Sequence, residues 1–257
     1  MSEPRPAVPG GPAPLAWRVA TVRGVSPASA HARTLVLDVP AWPGHRAGQH
    51  VDVRLVAEDG YQAQRSYSIA SAPEDTGVSL TVERLDDGEV SPYLTDVLRP
   101  GDGLEVRGPI GGYFAWDVVA GGPLLLVGGG SGVVPLLAML RHRAHAGAAA
   151  RARVPARLIY SARTLEAVID RADIERLEGA TEVDVVLTLT RETGMEWTGR
   201  RGRVDRGLLA EAGWPPSAAP RAFVCGPTPF VEAVATMLVE LGHEPRHVRT
   251  ERFGPTG

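Results

Sequence analysis

Gly128-Gly129-Gly130-Ser131-Gly132-Val133-Val134-Pro135 directly follows the apolar run Leu124–Val127 and leads into a stretch rich in leucine and alanine. A short buried strand, a glycine turn and the opening of a helix is the reading that fits, because four apolar residues are too few for a helix and glycine ends the run. Glycines at such a turn let backbone N–H groups come close to a phosphate, and the helix N-terminus adds partial positive charge. The turn therefore has the form of a nucleotide-binding loop. It departs from G-x-G-x-x-G at the last position, where Val133 stands in place of the third glycine.

Downstream of this turn, apolar strands alternate with helical stretches. Arg157–Tyr160 precedes a predicted helix carrying Leu165, Val168, Ile169 and Ala172 on one face; Val183–Thr190, Ala222–Cys225 and Arg246–Thr250 complete the strands, with a helix from about Pro229 to Leu241. Strict alternation predicts a parallel sheet covered by helices. Upstream the rhythm differs. Short β-rich runs at Trp17–Val22, Arg33–Val39, His50–Val56, Arg65–Ser71, Val78–Arg84 and Gly103–Arg107 are separated by turn clusters such as Pro100-Gly101-Asp102-Gly103. That pattern predicts an antiparallel β-barrel, interrupted by one helix from Val90 to Leu98 with Ser91 as its N-cap and Pro92 in its first turn. The expected organisation is thus a proline-rich tail over 1–14, a β-barrel domain over 15–117 and an α/β parallel-sheet domain over 118–257.

Composition narrows the function. At 257 residues, with 44% hydrophobic residues, the chain can bury two cores. A formal net charge of −3 gives no bulk attraction to nucleic acid or to an anionic membrane. Cys225 is the single cysteine, which excludes a disulfide framework and an iron–sulfur cluster ligated by this chain alone. The most apolar run, Pro123 to Leu140, is broken by Gly128–Gly132 and Pro135, so no membrane insertion and a cytoplasmic location are expected. His142 and His145 have no acidic neighbour in sequence, and these two together with His243 and His247 are expected to be solvated helix-end histidines. No Gly-x-Ser-x-Gly elbow supports a hydrolase.

In a dinucleotide fold the residue ending the second strand meets the adenosine ribose. Here that segment is Tyr160-Ser161-Ala162-Arg163-Thr164, with Arg171 two turns on. It has no carboxylate for a 2′-hydroxyl, whereas Ser161, Arg163 and Arg171 suit a 2′-phosphate, so NADPH is favoured and NADH is the alternative. In the barrel, Arg65, Tyr67 and Ile69 alternate with Ser66, Ser68 and Ala70 across the two faces of one strand. A cation, an aromatic ring and a hydroxyl so placed can hold a phosphate, cover a flat ring and bond its edge.

Taken in order, Arg65-x-Tyr67-Ser68, Gly88-Glu89-Val90-Ser91, Gly108 to Phe114, the turn ending in Pro135, Cys225-Gly226-Pro227 and Glu251-Arg252-Phe253-Gly254-Pro255 closely resemble the ferredoxin–NADP+ reductase superfamily over about residues 15 to 257. The resemblance implies an FAD-binding barrel and an NAD(P)-binding domain that meet at a cleft. It implies that Arg65 contacts the FAD pyrophosphate, capped by Gly88 and the amides of Val90 and Ser91. Tyr67 would lie against the isoalloxazine, with Ser68 near N5. Gly130, Ser131 and Gly132 would cradle the dinucleotide phosphates. Cys225, with Gly226 and Pro227, would lie beside the nicotinamide, and Glu251 and Phe253 at the other flavin face. Ser68, Cys225 and Glu251 are then the expected catalytic residues, and no metal is expected. Many relatives continue into a cysteine-rich cluster domain after the Phe-Gly-Pro segment, whereas this chain stops at Gly257. The expected acceptor is therefore a separate protein, a ferredoxin, haem protein or oxygenase component. NADH-dependent reduction of small molecules, and a relay subunit without turnover of its own, are the alternatives.

Overall fold

A computed structural model describes residues 15–57 and 59–254; the 1–14 tail and Pro255 of the terminal motif lie outside the described residues. The first half forms a six-stranded antiparallel sheet from β1 (Trp17–Pro27), β2 (Ala32–Asp38), β3 (His50–Val56), β4 (Gln62–Ser68), β5 (Val78–Glu83) and β6 (Gly103–Ile110), in the order β4-β3-β6-β1-β2-β5. An antiparallel bridge between Ile69 and Leu80 brings the two edge strands together and closes the barrel. Inward residues such as Val22, Leu35, Val53, Leu80 and Val106 fill it, which is why alternation was readable along each strand.

The second half is a six-stranded parallel sheet of β7 (Leu124–Gly129), β8 (Ala156–Ala162), β9 (Val183–Leu189), β10 (Arg200–Arg201), β11 (Arg221–Pro227) and β12 (Val248–Phe253), ordered β10-β9-β8-β7-β11-β12. Helices α1 (Val133–His145), α2 (Ala148–Ala152), α3 (Arg171–Thr181), α4 (Arg206–Ala212) and α5 (Thr228–Glu240) connect the strands. Every residue of β7 is buried, as expected of a central parallel strand covered on both sides. The strand order reverses between β7 and β11, so the carboxyl ends of these two strands frame the crevice where such sheets take ligands.

Several local expectations need correction: His243 is buried rather than solvated, and the parallel sheet carries an extra edge strand, β10, beyond those predicted. The barrel helix is shorter than Val90–Leu98, with a five-residue π-helical stretch over Tyr93–Val97, and Ser91 does not cap it, because the Ser91 hydroxyl accepts the Leu85 N–H at 3.0 Å. Leu165 to Ala172 is not one helix. A single turn over Leu165–Ala167 is followed by Asp170 in the left-handed conformation (φ 52°), and α3 begins only at Arg171. The histidines of α1 do have acidic partners: His142 Nδ1 lies 2.7 Å from Glu74 Oε1 and His145 Nε2 lies 3.0 Å from Asp75 Oδ1, both carboxylates coming from the barrel.

These pairs belong to a wider contact between the domains. Arg141 donates to the Ala70 carbonyl at 2.7 Å and is held in place by Asp170 and Asp173. Phe114 meets the Phe223 ring edge-on with centroids 5.3 Å apart. Gly48, at φ +89°, allows the Phe114 carbonyl to pass where a Cβ would lie only 2.5 Å from its oxygen. Apolar residues of both halves, among them Ala47, Ala70, Phe114 and Trp116, share one cluster with the core of the parallel sheet. The orientation of the two sheets is therefore set by packing as well as by ion pairs.

Candidate active site

The site lies where the ends of β3 and β4 face the carboxyl ends of β11 and β12. On the barrel side, Ser68 is paired in register with His50. On the other side, Cys225 is paired in register with Glu251. His50 Nδ1 and Glu251 Oε1 are 3.6 Å apart across the cleft, and His50 Nδ1 and Glu251 Oε2 are buried without a hydrogen-bond partner. Burial of such atoms costs free energy unless a partner is supplied. The two orphaned atoms at this junction are unmet hydrogen-bonding capacity that a polar ligand edge would satisfy.

Cys225 is buried, and burial first, then the Glu251 charge, raises its thiol well above the ordinary range. It is a neutral thiol at physiological pH, fit to touch a flat ring and unfit as a nucleophile. The raised value also means that the thiol form favours the folded state. That contribution is fully present below the unfolded-chain value of 9.0 and is lost as pH rises through the folded value. Iodoacetamide at pH 8 is accordingly expected to label native Cys225 at least about tenfold more slowly than the urea-unfolded chain, as followed by intact-mass measurement. Equal rates would show the thiol to be ionised or open.

The glycine turn is held against this cysteine. A methyl group at Gly132 would lie 2.3 Å from the Cys225 carbonyl oxygen, so only glycine lets the turn between β7 and α1 touch the end of β11. The Phe230 ring at the start of α5 lies over both Gly129 and Gly226, leaving no room for a side chain at either. Gly130 and Ser131 lie in the short turn before α1, whose thirteen residues direct their N-terminal dipole at the crevice.

Around the barrel strand, Tyr67 is half-buried against the core with its phenol pushed up to about 12 by burial. Its hydroxyl is un-ionised, and its ring is fixed as a platform. Arg65 is exposed and reaches toward Glu89, 3.9 Å away, which brings it to the Gly88–Ser91 turn that the motif reading pairs with it. Among the described residues the N–H groups of Val90 and Ser91 donate to no protein acceptor, while Gly88 donates to Leu85. A guanidinium beside free amides at a turn is a phosphate-binding arrangement. The platform, the phosphate turn and the unpartnered atoms of His50 and Glu251 together fit a flavin dinucleotide. Phe253 is partly exposed at the end of β12.

Comparison with known proteins agrees with this geometry. Residues 20–115 match the oxidoreductase FAD-binding domain and residues 126–236 match the oxidoreductase NAD-binding domain. Ferredoxin–NADP reductase B of Sorangium cellulosum is 38% identical over 217 residues, covering 80% of this chain and 84% of that protein. The chain belongs to the ferredoxin–NADP+ reductase superfamily. A glycine betaine monooxygenase reductase subunit of Chromohalobacter salexigens is 34% identical over 223 residues, 85% of this chain; the chain spans 59% of that relative's length. Among solved structures, the Amycolatopsis cytochrome P450 reductase GcoB superposes with a TM-score of 0.80 at 26% identity, covering 95% of this chain and 72% of that one. The flavohaem-like FAD/NAD-binding domain of the Vibrio cholerae nitric oxide dioxygenase superposes at 0.81 and 23% identity, covering 93% and 99%, and shares the fold.

Within this reductase fold the candidate adenosine end is formed by β8 and β9. Ser161 is buried at the end of β8. The chain continues paired beyond both strands, with Thr190 N–H bonded to the Ala162 carbonyl at 3.0 Å and Arg191 N–H to the Arg163 carbonyl at 2.8 Å. Arg163 and Arg191 thus lie on adjoining segments, both exposed, and neither guanidinium has an ion pair among the described residues. Arg171 does not join them; Glu175, one turn on in α3, holds it at 2.8 Å. His50 and Arg191 escape a reading of sequence alone because the first acquires its meaning from cross-strand register and the second from a main-chain bond to Arg163. The signal of His50 appears only once β3 is aligned on β4, and that of Arg191 only once the segment after β9 is laid beside the end of β8.

Proposed function

We propose that this chain is an FAD-dependent NADPH oxidoreductase that passes electrons singly to a separate protein acceptor. The observation that carries the reading is the facing of Ser68 and His50 on Cys225 and Glu251 across the cleft between an FAD-binding and an NAD-binding domain. A flavin accepts a hydride and releases electrons one at a time, and that is the chemistry it supplies when bound. The protein supplies position. Tyr67 offers a rigid ring face, Arg65 and the Gly88–Ser91 turn hold phosphate, and the Gly130–Gly132 turn holds the second dinucleotide. Neutral Cys225 packs beside the reacting ring. Glu251 and His50 offer acceptor and donor atoms to a ring edge and can hold a proton there. Hydride transfer requires its atoms at about 3–3.5 Å, so this positioning is the larger part of catalysis. Residues 15–117 and 118–257 are the two functional units in this reading, supported by the last barrel strand ending at Ile110 and the first parallel strand starting at Leu124.

NADPH is the proposed donor because two exposed guanidiniums, Arg163 and Arg191, without ion pairs among the described residues, and Ser161 sit beside the ends of β8 and β9, while the nearby Glu192 carboxylate is taken up by the Leu165 and Gly194 N–H groups. Relatives named as reductase subunits or components of glycine betaine monooxygenase and naphthalene dioxygenase systems support a separate acceptor, an oxygenase component or a ferredoxin. No helix among the described residues is long and apolar enough to cross a membrane. The purified chain is expected to show a flavin absorption spectrum, to release FAD on denaturation, and to be bleached by anaerobic NADPH within seconds, with turnover when ferricyanide is added. A colourless protein that takes up neither FAD nor FMN overturns the assignment.

A further inference from the structure

The barrel contributes a carboxylate to the nucleotide turn of the other domain. Glu83 is the last residue of β5, and a methyl group placed on Gly130 would lie 3.9 Å from Glu83 Oε2. Gly130 itself is in the left-handed conformation (φ +56°), the bend that turns β7 into α1. The neighbouring Arg84 cannot neutralise this carboxylate, because Asp86 and Asp96 engage its guanidinium. Among the described residues Glu83 has no ion pair and accepts no hydrogen bond. A second observation places its charge at the same end of the sheet. The Tyr160 phenol, buried at the end of β8, is raised chiefly by burial, with the Glu83 charge adding to the effect.

We infer that Glu83 is an electrostatic brake on dinucleotide binding: a fixed negative charge that the barrel holds against the turn where the coenzyme pyrophosphate enters. The inference rests on the proposed function, which puts the pyrophosphate at Gly130–Gly132. A phosphate seated at this turn comes within reach of the Glu83 charge, and like charges at such range repel more strongly near a protein surface than in bulk water. Binding therefore makes the carboxylate swing away or tolerate the repulsion, and either weakens affinity and speeds release. The arrangement links the two domains, because the brake acts only while β5 is packed against the turn. A reductase whose coenzyme must leave before an electron acceptor is served gains from such a contact, since product release sets turnover in many enzymes.

The test is calorimetric titration of the FAD-loaded protein and its Glu83→Gln variant with NADP+ and, separately, with adenosine 2′-monophosphate, which carries the 2′-phosphate but no pyrophosphate. The variant keeps the side chain's shape, and its melting temperature serves as the folding control. Glu83→Gln is expected to bind NADP+ at least about fivefold more tightly at low salt, with the gain shrinking toward 1 M salt as screening takes over. Adenosine 2′-monophosphate is expected to bind both proteins equally. Unchanged or weaker NADP+ binding by the variant overturns the inference and leaves the function standing; weaker binding would make Glu83 a ribose-hydroxyl acceptor. An equal gain for both ligands also overturns it. A parent protein that binds no NADP+ overturns the inference and the coenzyme assignment together.

Discussion

Alanine at Gly132 is expected to abolish NADPH-driven flavin reduction while leaving the flavin bound. The added methyl carbon would sit 2.3 Å from the Cys225 carbonyl oxygen, 2.4 Å from its carbon and 2.6 Å from the Gly226 nitrogen. All three are backbone atoms of the sheet, so no rotamer change relieves the overlap. The turn and the end of β11 must separate by about 1 Å to restore ordinary contact, and overpacking of this kind typically costs 1–3 kcal/mol, occasionally more. The functional loss exceeds the loss of stability, because the displaced elements are the phosphate turn and the strand end that carries Cys225. A 1 Å misplacement of reacting groups can cost about a hundredfold in rate. Stopped-flow bleaching by NADPH is therefore expected to slow by a hundredfold or more, with the flavin spectrum and stoichiometry intact because the barrel is untouched. Gly179 is the control. It lies within α3 with nothing within 4 Å of its would-be Cβ, and Gly179→Ala is expected to raise stability by about 0.5–1 kcal/mol without altering reduction. Full-speed reduction by Gly132→Ala would show that the turn and β11 are not in the contact described.

Where local pattern and tertiary structure agree, the sequence is legible, and here that covers both sheets apart from the two-residue edge strand β10. Period-two alternation marks the barrel strands because their two faces meet different surroundings. The all-apolar Leu124–Val127 marks a central parallel strand for the opposite reason. What fails is specified from a distance. Leu165, Val168, Ile169 and Ala172 have helical spacing, yet Val168 and Ile169 are buried from a non-helical segment. Asp170 leaves the helical region there, and its N–H bonds to the Ala28 carbonyl of the barrel at 2.8 Å. Ser91 stands at a helix start with the right chemistry for a cap, but a loop amide six residues earlier takes its hydroxyl. His142 and His145 find carboxylates 68 and 70 residues away in sequence. The site divides in the same manner. Arg65, Tyr67, Ser68 and the glycine turn are contiguous motifs, whereas His50, Glu83 and Arg191 are ordinary polar residues until the sheets are assembled.

Replacing Arg163 and Arg191 together by alanine is expected to turn an NADPH enzyme into one that prefers NADH. Both guanidiniums stand at the carboxyl ends of adjacent strands, where the adenosine ribose lies in a dinucleotide fold. Main-chain bonds from Thr190 and Arg191 to Ala162 and Arg163 hold the two segments side by side, which leaves both exposed guanidiniums at the same end of the sheet. A hydrogen bond to a charged group contributes about 1.5–3 kcal/mol, or ten- to more than a hundredfold in affinity. The double variant is accordingly expected to lose roughly a hundred- to a thousandfold in kcat/KM for NADPH. The value for NADH, which has only a hydroxyl at that position, should change by less than about threefold. The loss belongs in KM, since the 2′-phosphate is remote from the reacting carbon and binds alike in ground and transition states. Arg171 supplies the contrast: its guanidinium is held by Glu175, and Arg171→Ala is expected to leave the NADPH-to-NADH ratio within about twofold of the parent. Should the parent oxidise NADH as efficiently as NADPH, or the double variant lose both coenzymes equally, the pair does not read the phosphate. The sheet end would then be a general anion surface.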